Sequence, residues 1–170
     1  MTPRRIWGLV DMNITVIAPG KLKEAYLRDA VAEYAKRISA YAKLDIIELN
    51  PVKLSDAPSE TEINAALAKE AEEIKKKIPA NSYVFSLCVE GVQESSEKLA
   101  DDFKAVALAG KSSLVFIIGS SYGLSESVKA LSDKRLSFSK MTFPHQLMRV
   151  MLLEQIYRAF QINNNGKYHK

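Results

Sequence analysis

The sequence predicts an α/β domain on a mainly parallel sheet of five or six strands, with helices on both faces. Three observations predict it. Strand-like and helix-like segments alternate along the chain; the strand-like ones are short, and three of them end directly at Pro19, Asn50 or Gly119. The clearest of them, Leu114–Ile118, is an unbroken apolar run, as a strand covered on both faces requires. The 170 residues are 47% apolar and 26% charged, enough for one folded unit with a real core.

The elements follow in order. Met12 opens a Met-Asn-Ile-Thr-Val-Ile-Ala stretch that reads as a natural start running straight into a strand. Residues 1–11 are therefore expected to be an N-terminal extension or cloning remnant, and residues 12–170 a single domain. Ile14–Ala18 is the first strand, closed by Pro19-Gly20. Leu22, Tyr26, Ala30, Val31, Tyr34 and Ile38 then recur at three and four, which predicts an amphipathic helix. Leu44–Leu49 is the second strand and Pro51–Ser59 a loop. Ile63, Leu67, Ala71, Ile74 and Ile78 predict the next helix, stopped by Pro79, and Tyr83–Val89 the third strand. Ser96 is expected to cap a helix carrying Leu99, Phe103 and Val106, with Gly110 past its end. After Leu114–Ile118, Ser125 caps a short helix and Leu136–Ser139 is a weaker fifth strand. A long last helix runs through Leu147, Val150, Glu154 and Phe160 to Asn163-Asn164-Asn165-Gly166.

Composition excludes several classes. One cysteine, Cys88, rules out a disulfide framework and a multi-cysteine metal cluster, and two histidines leave little for a histidine site, so no metal is expected. No apolar run reaches the ~18–20 residues of a membrane span, and the expected setting is cytoplasmic. The net charge of +4 is unevenly spread: residues 1–133 sum to −2 and residues 134–170 to +6. Such asymmetry suits either a polyanionic partner or a solvated basic helix face.

In parallel sheets ligands bind beyond the carboxyl ends of the strands. That rule selects the loops Val89–Gln93, Gly119–Ser125 and Ser139–Pro144 as the place where a site is assembled. The first strand-to-helix turn offers only Gly20, with neither a dinucleotide fingerprint nor a P-loop lysine. Gly119-Ser120-Ser121-Tyr122-Gly123 matches the Gly-x-Ser-x-Gly of a nucleophile elbow, and Ser121, Asp133 and His145 or His169 can be written in triad order. Against that hydrolase reading stand the short chain, the missing oxyanion segment and a helix cap at Ser125, two residues beyond the second glycine. A plain glycine turn approaching a ligand by its main chain fits equally. In Leu136–Arg149, Ser139 and Thr142 suit a polar ligand, while Phe138, Met141 and Phe143 could wall an adenine-sized ring or simply fill core.

Several blocks together resemble the bacterial ribosomal RNA large subunit methyltransferase H family. They are Ile-Ile-Gly-Ser-Ser-Tyr-Gly-Leu-Ser, Leu-Ser-Phe-Ser-Lys-Met-Thr-Phe-Pro-His-Gln-Leu-Met-Arg-Val, Glu-Gln-Ile-Tyr-Arg-Ala-Phe and a terminal Tyr-His-Lys, with Gly20-Lys21 and Asp45-Ile46-Ile47-Glu48 upstream. The resemblance implies a SPOUT-type α/β-knot, in which the C-terminal segment threads a loop to make a trefoil knot, a topology that generic rules do not produce. It also implies a homodimer that transfers methyl from S-adenosylmethionine to N3 of a pseudouridine in 23S rRNA of the assembled ribosome. By position, it places the methyl donor on Leu87, Gly119 and the run Phe138, Ser139, Lys140, Met141, Thr142 and Phe143. His169 is the candidate base and Tyr168 a candidate stacking platform for the target base, with Lys140, Arg149, Arg158 and Lys167 expected on RNA phosphates. A non-catalytic RNA-binding module is the other alternative to the transferase. One departure stands out: Ser120 occupies a position where many members carry a second glycine.

Overall fold

The computed structural model describes residues 11–170; the expected extension therefore lies, but for Asp11, outside the described residues. Strands β1 (Met12–Pro19), β2 (Ala42–Leu49), β3 (Ser82–Gln93), β4 (Ser113–Ile118) and β5 (Lys134–Ser137) make one five-stranded sheet in the order β2-β1-β4-β3-β5. Every pairing between these strands is parallel. The helices are α1 (Ala25–Ile38), α2 (Glu60–Lys77), α3 (Ser96–Leu108), α4 (Glu126–Leu131) and α5 (His145–Asn163).

Alternation along the central strands feeds two cores. Ile14 and Val16 of β1, with Leu114 and Phe116 of β4, face a large cluster completed by Phe103 of α3 and Leu152, Ile156 and Phe160 of α5. Ile17, Val115 and Ile117 point the other way, toward Ala71 and Ile74 of α2 and Val128 of α4. Phe85 and Phe116 stack at 4.6 Å between ring centroids, and Phe103 meets Phe160 edge-on at 5.5 Å. Such aromatic pairs add about 0.5–1.5 kcal/mol each beyond their burial.

Local chemistry sets the helix starts. Ser59 and Glu62 form a reciprocal capping box on α2, and Ser125 accepts from the Val128 N–H on α4. The expected cap of α3 moves by one: Ser95 accepts from the Lys98 N–H, while Ser96 is the first helical residue and donates its hydroxyl to Gln155.

The largest departure from the sequence reading is at β3, which runs on to Gln93 instead of ending at Val89. Its register against β5 jumps between Leu87 and Val92, both of which pair with Leu136. The jump depends on Gly91: a Cβ there would lie 2.8 Å from the Arg135 carbonyl and from the backbone of Leu136. Only a residue without a side chain lets the two main chains cross so closely. β5 in turn starts earlier than expected, at Lys134, and leaves the sheet after Ser137, which frees Phe138–Pro144 to turn toward the strand ends.

Candidate active site

The three loops selected by the strand-end rule converge on one cavity of about 660 Å³. Its walls come from the β3 end (Leu87–Glu90), the turn after β4 (Ile118–Leu124) and the segment between β5 and α5 (Leu136–Ser139 and Met141–His145). That volume lies within the ~300–1,000 Å³ range of small-molecule sites.

Gly119 decides the shape of the β4 turn. A Cβ on it would stand 2.7 Å from the carbonyl carbon of Gly123 and 2.8 Å from its oxygen. The turn is closed by the Gly123 N–H donating to the Ser120 carbonyl at 2.9 Å, and Gly123 itself sits at φ +82°, a region L side chains rarely enter. The result is a tight backbone loop offering main-chain groups to the cavity. The segment opposite is ordered by its serines: Ser137 donates to the Ser139 carbonyl at 3.0 Å, and the Ser139 hydroxyl accepts from the Met141 N–H at 3.0 Å. Phe138 and Phe143 are half-buried against the cavity, while Met141 is 73% exposed at its mouth.

Seven of the residues expected on the methyl donor are thus brought together: Leu87, Gly119, Phe138, Ser139, Met141, Thr142 and Phe143. Lys140 is not; it is exposed and does not line the cavity. The expected catalytic tail is also elsewhere. Tyr168 packs edge-on against Tyr157 at 4.9 Å, lies under the Arg158 guanidinium and donates to Glu154 at 3.1 Å. Burial, with Tyr34 and Glu154 beside it, pushes its phenol well above the ordinary value. His169 contacts Glu97 of α3 at 2.7 Å and Arg158 at 3.1 Å. Neither tail residue lines the cavity of its own chain, because these contacts dock the tail on α3 and α5.

Arg149 is the clearest correction to the expected RNA contacts. It is 1% exposed, with its guanidinium donating to Glu48 at 2.7 Å and to the Gly20 and Pro19 carbonyls at 2.9 and 3.3 Å. It ties the start of α5 to the ends of β1 and β2, so it positions the site and does not face phosphate. Arg158 is engaged too, through its contacts with Glu154 and Tyr168, whereas Lys167 is exposed.

The residues that would make a hydrolase do not assemble. The Asp133 carboxylate accepts the Val84 N–H at 2.7 Å and its own N–H donates to the Val84 carbonyl, pinning β5 to β3. Ser121 is exposed within the β4 turn, ahead of the helix that Ser125 caps. Cys88 lines the cavity, but burial and the nearby Glu90 carboxylate push its thiol up, which disfavours a thiolate nucleophile.

Two further residues stand at the cavity or its glycine turn, one of which the sequence reading did not single out. His145, which the sequence offered only as a possible triad histidine, opens α5 and lines the cavity; burial, with Arg149 close by, holds its imidazole below the usual value and so uncharged at neutral pH. Glu70 of α2 reaches the rear of the β4 turn, where burial pushes its carboxyl up and the Ser120 hydroxyl pulls partly back. The signal for His145 was its place in the loop-to-helix turn after the last strand; Glu70, in the middle of α2, carries no such signal and is brought to the turn by the fold. Among the described residues no group of three or more His, Cys, Asp or Glu is placed to hold a metal, and no helix is long and apolar enough to cross a membrane.

Comparison with known proteins identifies the family. The family model described as "Predicted SPOUT methyltransferase" matches residues 12–169. The chain is 54% identical over 159 residues to the "Putative ribosomal RNA large subunit methyltransferase H" of Methanococcus maripaludis. It is 50% and 51% identical over the same length to proteins named ribosomal RNA large subunit methyltransferase H in Bacillus pumilus and Bacillus cytotoxicus. Each alignment covers 94% of this chain and 100% of the relative. Matched by the family model over residues 12–169 and by relatives about 50% identical that it spans in full, this chain belongs to the SPOUT methyltransferase family, whose α/β class its five-stranded parallel sheet shares.

Proposed function

We propose that the protein methylates N3 of a pseudouridine in 23S rRNA of the assembled ribosome, as a homodimer, with S-adenosylmethionine as donor. The observation that carries this reading is the convergence of Leu87, Gly119, Phe138, Ser139, Met141, Thr142 and Phe143 on one cavity of suitable volume. The donor fits the residues present. Leu87, Ile118 and Phe138 provide apolar surface for an adenine ring, and the glycine turn brings main-chain groups close enough for its polar edges.

The sulfonium donor supplies an already activated methyl group, so the chain needs no nucleophile of its own. Its work is to hold the acceptor nitrogen in line with the methyl and to exclude water. The N3 proton must leave as the bond forms, to solvent or to a base. Of the two histidines only His145 lines the cavity, and its uncharged imidazole can accept a proton; His169 and Tyr168 are held on α3 and α5 and serve their own chain's cavity no further. Lys140 and Lys167, exposed and without an ion pair among the described residues, remain available for phosphate.

Two further features of the family reading have support. The main-chain crossing at Gly91, with the chain leaving β5 at once for the cavity wall, is compatible with a threaded C-terminal segment. A groove of about 460 Å³ over α1, α3 and α5, walled by Tyr34, Leu99, Val150 and Met151, offers apolar surface to a second copy.

Calorimetric titration with S-adenosylmethionine and S-adenosylhomocysteine tests the donor, and tritiated-methyl transfer to ribosomes lacking the modification tests the acceptor. Saturable binding of both ligands and stoichiometric labelling of 23S rRNA are expected; folded protein that binds neither ligand overturns the reading. Ser121→Ala separates the transferase from a hydrolase. We expect methyl transfer within about threefold of wild type, whereas loss of a true nucleophile costs several orders of magnitude.

A further inference from the structure

Beside the main cavity lies a second cleft of about 370 Å³, at the carboxyl ends of β1 and β2. The two share a wall: Ser120, Ser121, Tyr122 and His145 line both. The far side of the cleft is apolar, built from Pro19, Pro51, Val52 and Leu54, and Glu70 and Gln146 supply polar edges. Lys21 and Lys23 stand exposed at its rim, with no ion pair or side-chain hydrogen bond among the described residues. Tyr122, on the shared wall, is 47% exposed.

The state of the other cations gives these two lysines their weight. In the +6 segment, Arg149 is buried on Glu48, Lys134 is held by Glu94 and Asp102, and Arg158 is held by Glu154. On α2, Lys75 and Lys76 pair with Glu72 and Glu73. Charge for a polyanion next to the cavity therefore comes in part from the loop after β1, in the portion of the chain whose net charge is negative.

We propose that this cleft holds the nucleotide flanking the acceptor in a single-stranded RNA segment. Its base enters between Tyr122 and the proline-lined wall, its edge is read by Glu70 and Gln146, and its phosphates meet Lys21 and Lys23. The chemistry fits: proteins recognise unpaired RNA bases by stacking on aromatic rings and bonding their edges, with basic side chains on the backbone. A carboxylate at the floor favours a base edge that presents an amino group. The wall shared with the donor cavity places such a nucleotide next to the one that reacts.

This inference rests on the proposed RNA methyl transfer, and the experiment separates the two. Steady-state methylation of unmodified ribosomes would be measured for wild type, Lys21→Glu/Lys23→Glu and Val52→Trp, the last narrowing the cleft from the loop after β2. Calorimetric affinity for S-adenosylmethionine would be measured for all three. The expected result is a KM for ribosomes raised at least about tenfold in both variants, with donor affinity unchanged. In the charge variant the log–log salt dependence should flatten by about 1.4, as loss of two single-strand phosphate contacts predicts. Wild-type activity with unchanged KM in both variants overturns the cleft assignment alone, and so does a parallel loss of donor affinity. A wild type that binds donor but labels no RNA overturns both the cleft and the reading beneath it.

Discussion

Gly119→Val should abolish methyl-donor binding while the chain still folds. The Cβ of any side chain at this position meets the Gly123 carbonyl at 2.7–2.8 Å, and the neighbour is backbone, which cannot rotate away. Valine adds two methyl groups to that clash. The turn must therefore open, and the main-chain groups facing the cavity move with it. We expect at least a 100-fold loss of affinity for S-adenosylmethionine, about 2.7 kcal/mol, measured by calorimetry on protein whose circular dichroism matches wild type. Gly110→Ala is the control. Gly110 also has a positive φ, +84°, but a Cβ there meets nothing within 4 Å and the residue ends α3 away from the cavity. It should lower stability by about 1 kcal/mol through backbone strain and leave donor affinity as it was. Retained binding in Gly119→Val would move the donor away from the β4 turn.

The second large effect is expected at Lys134. Its ammonium lies 2.5 Å from both Glu94 and Asp102, and those carboxylate side chains are only 7% and 10% exposed. Lys98 adds a contact to Asp102 from the solvent side. Lys134→Ala leaves two buried carboxylates with their main cation gone, and breaking a buried pair from one side costs about 3–5 kcal/mol. Equilibrium urea unfolding at pH 7 measures the loss. The pH dependence provides a second check. Burial pushes the Asp102 carboxyl up, but hydrogen bonds from Lys134 and Lys98 outweigh it and hold the group below its ordinary value. A depressed carboxylate contributes stability above its unfolded pKa and loses it as pH falls through the folded value. Wild type should therefore lose this contribution on acidification. In the variant, protonation relieves the carboxylate pair, so its deficit should be largest at neutral pH and shrink below about pH 4. A deficit that does not vary with pH would mean that Lys134 acts through packing alone.

How far the site was legible can be traced residue by residue. The short run of β1 closed by Pro19-Gly20, the unbroken apolar run of β4 and the spacing in α2 and α5 are local patterns, and they identified the strands, the helices and hence the loops at the carboxyl ends. The individual residues came from the resemblance to a known family, and of them Leu87, Gly119, Phe138, Ser139, Met141, Thr142 and Phe143 line the cavity at those loops while Lys140 does not. Boundaries that depend on a partner strand were misplaced. β3 reaches Gln93 because Gly91 meets Arg135 and Leu136, residues more than forty positions later. The roles of charged residues transferred least well. Arg149 and Arg158 read as surface cations in a basic segment, and each is engaged by a carboxylate in the fold.

From the sequence alone follow the α/β class, the order of elements, the two-faced core and the end of the sheet at which the cavity opens, because each depends on periodicity and turn chemistry within a few residues. Tertiary structure alone decided which cations stay free, where the Tyr168-His169 tail rests, and that a second cleft shares a wall with the first. Those outcomes depend on partners such as Glu48 and Arg149, 101 positions apart. A charge is neutralised by whatever the fold brings within a few ångströms of it, and no local pattern encodes that distance.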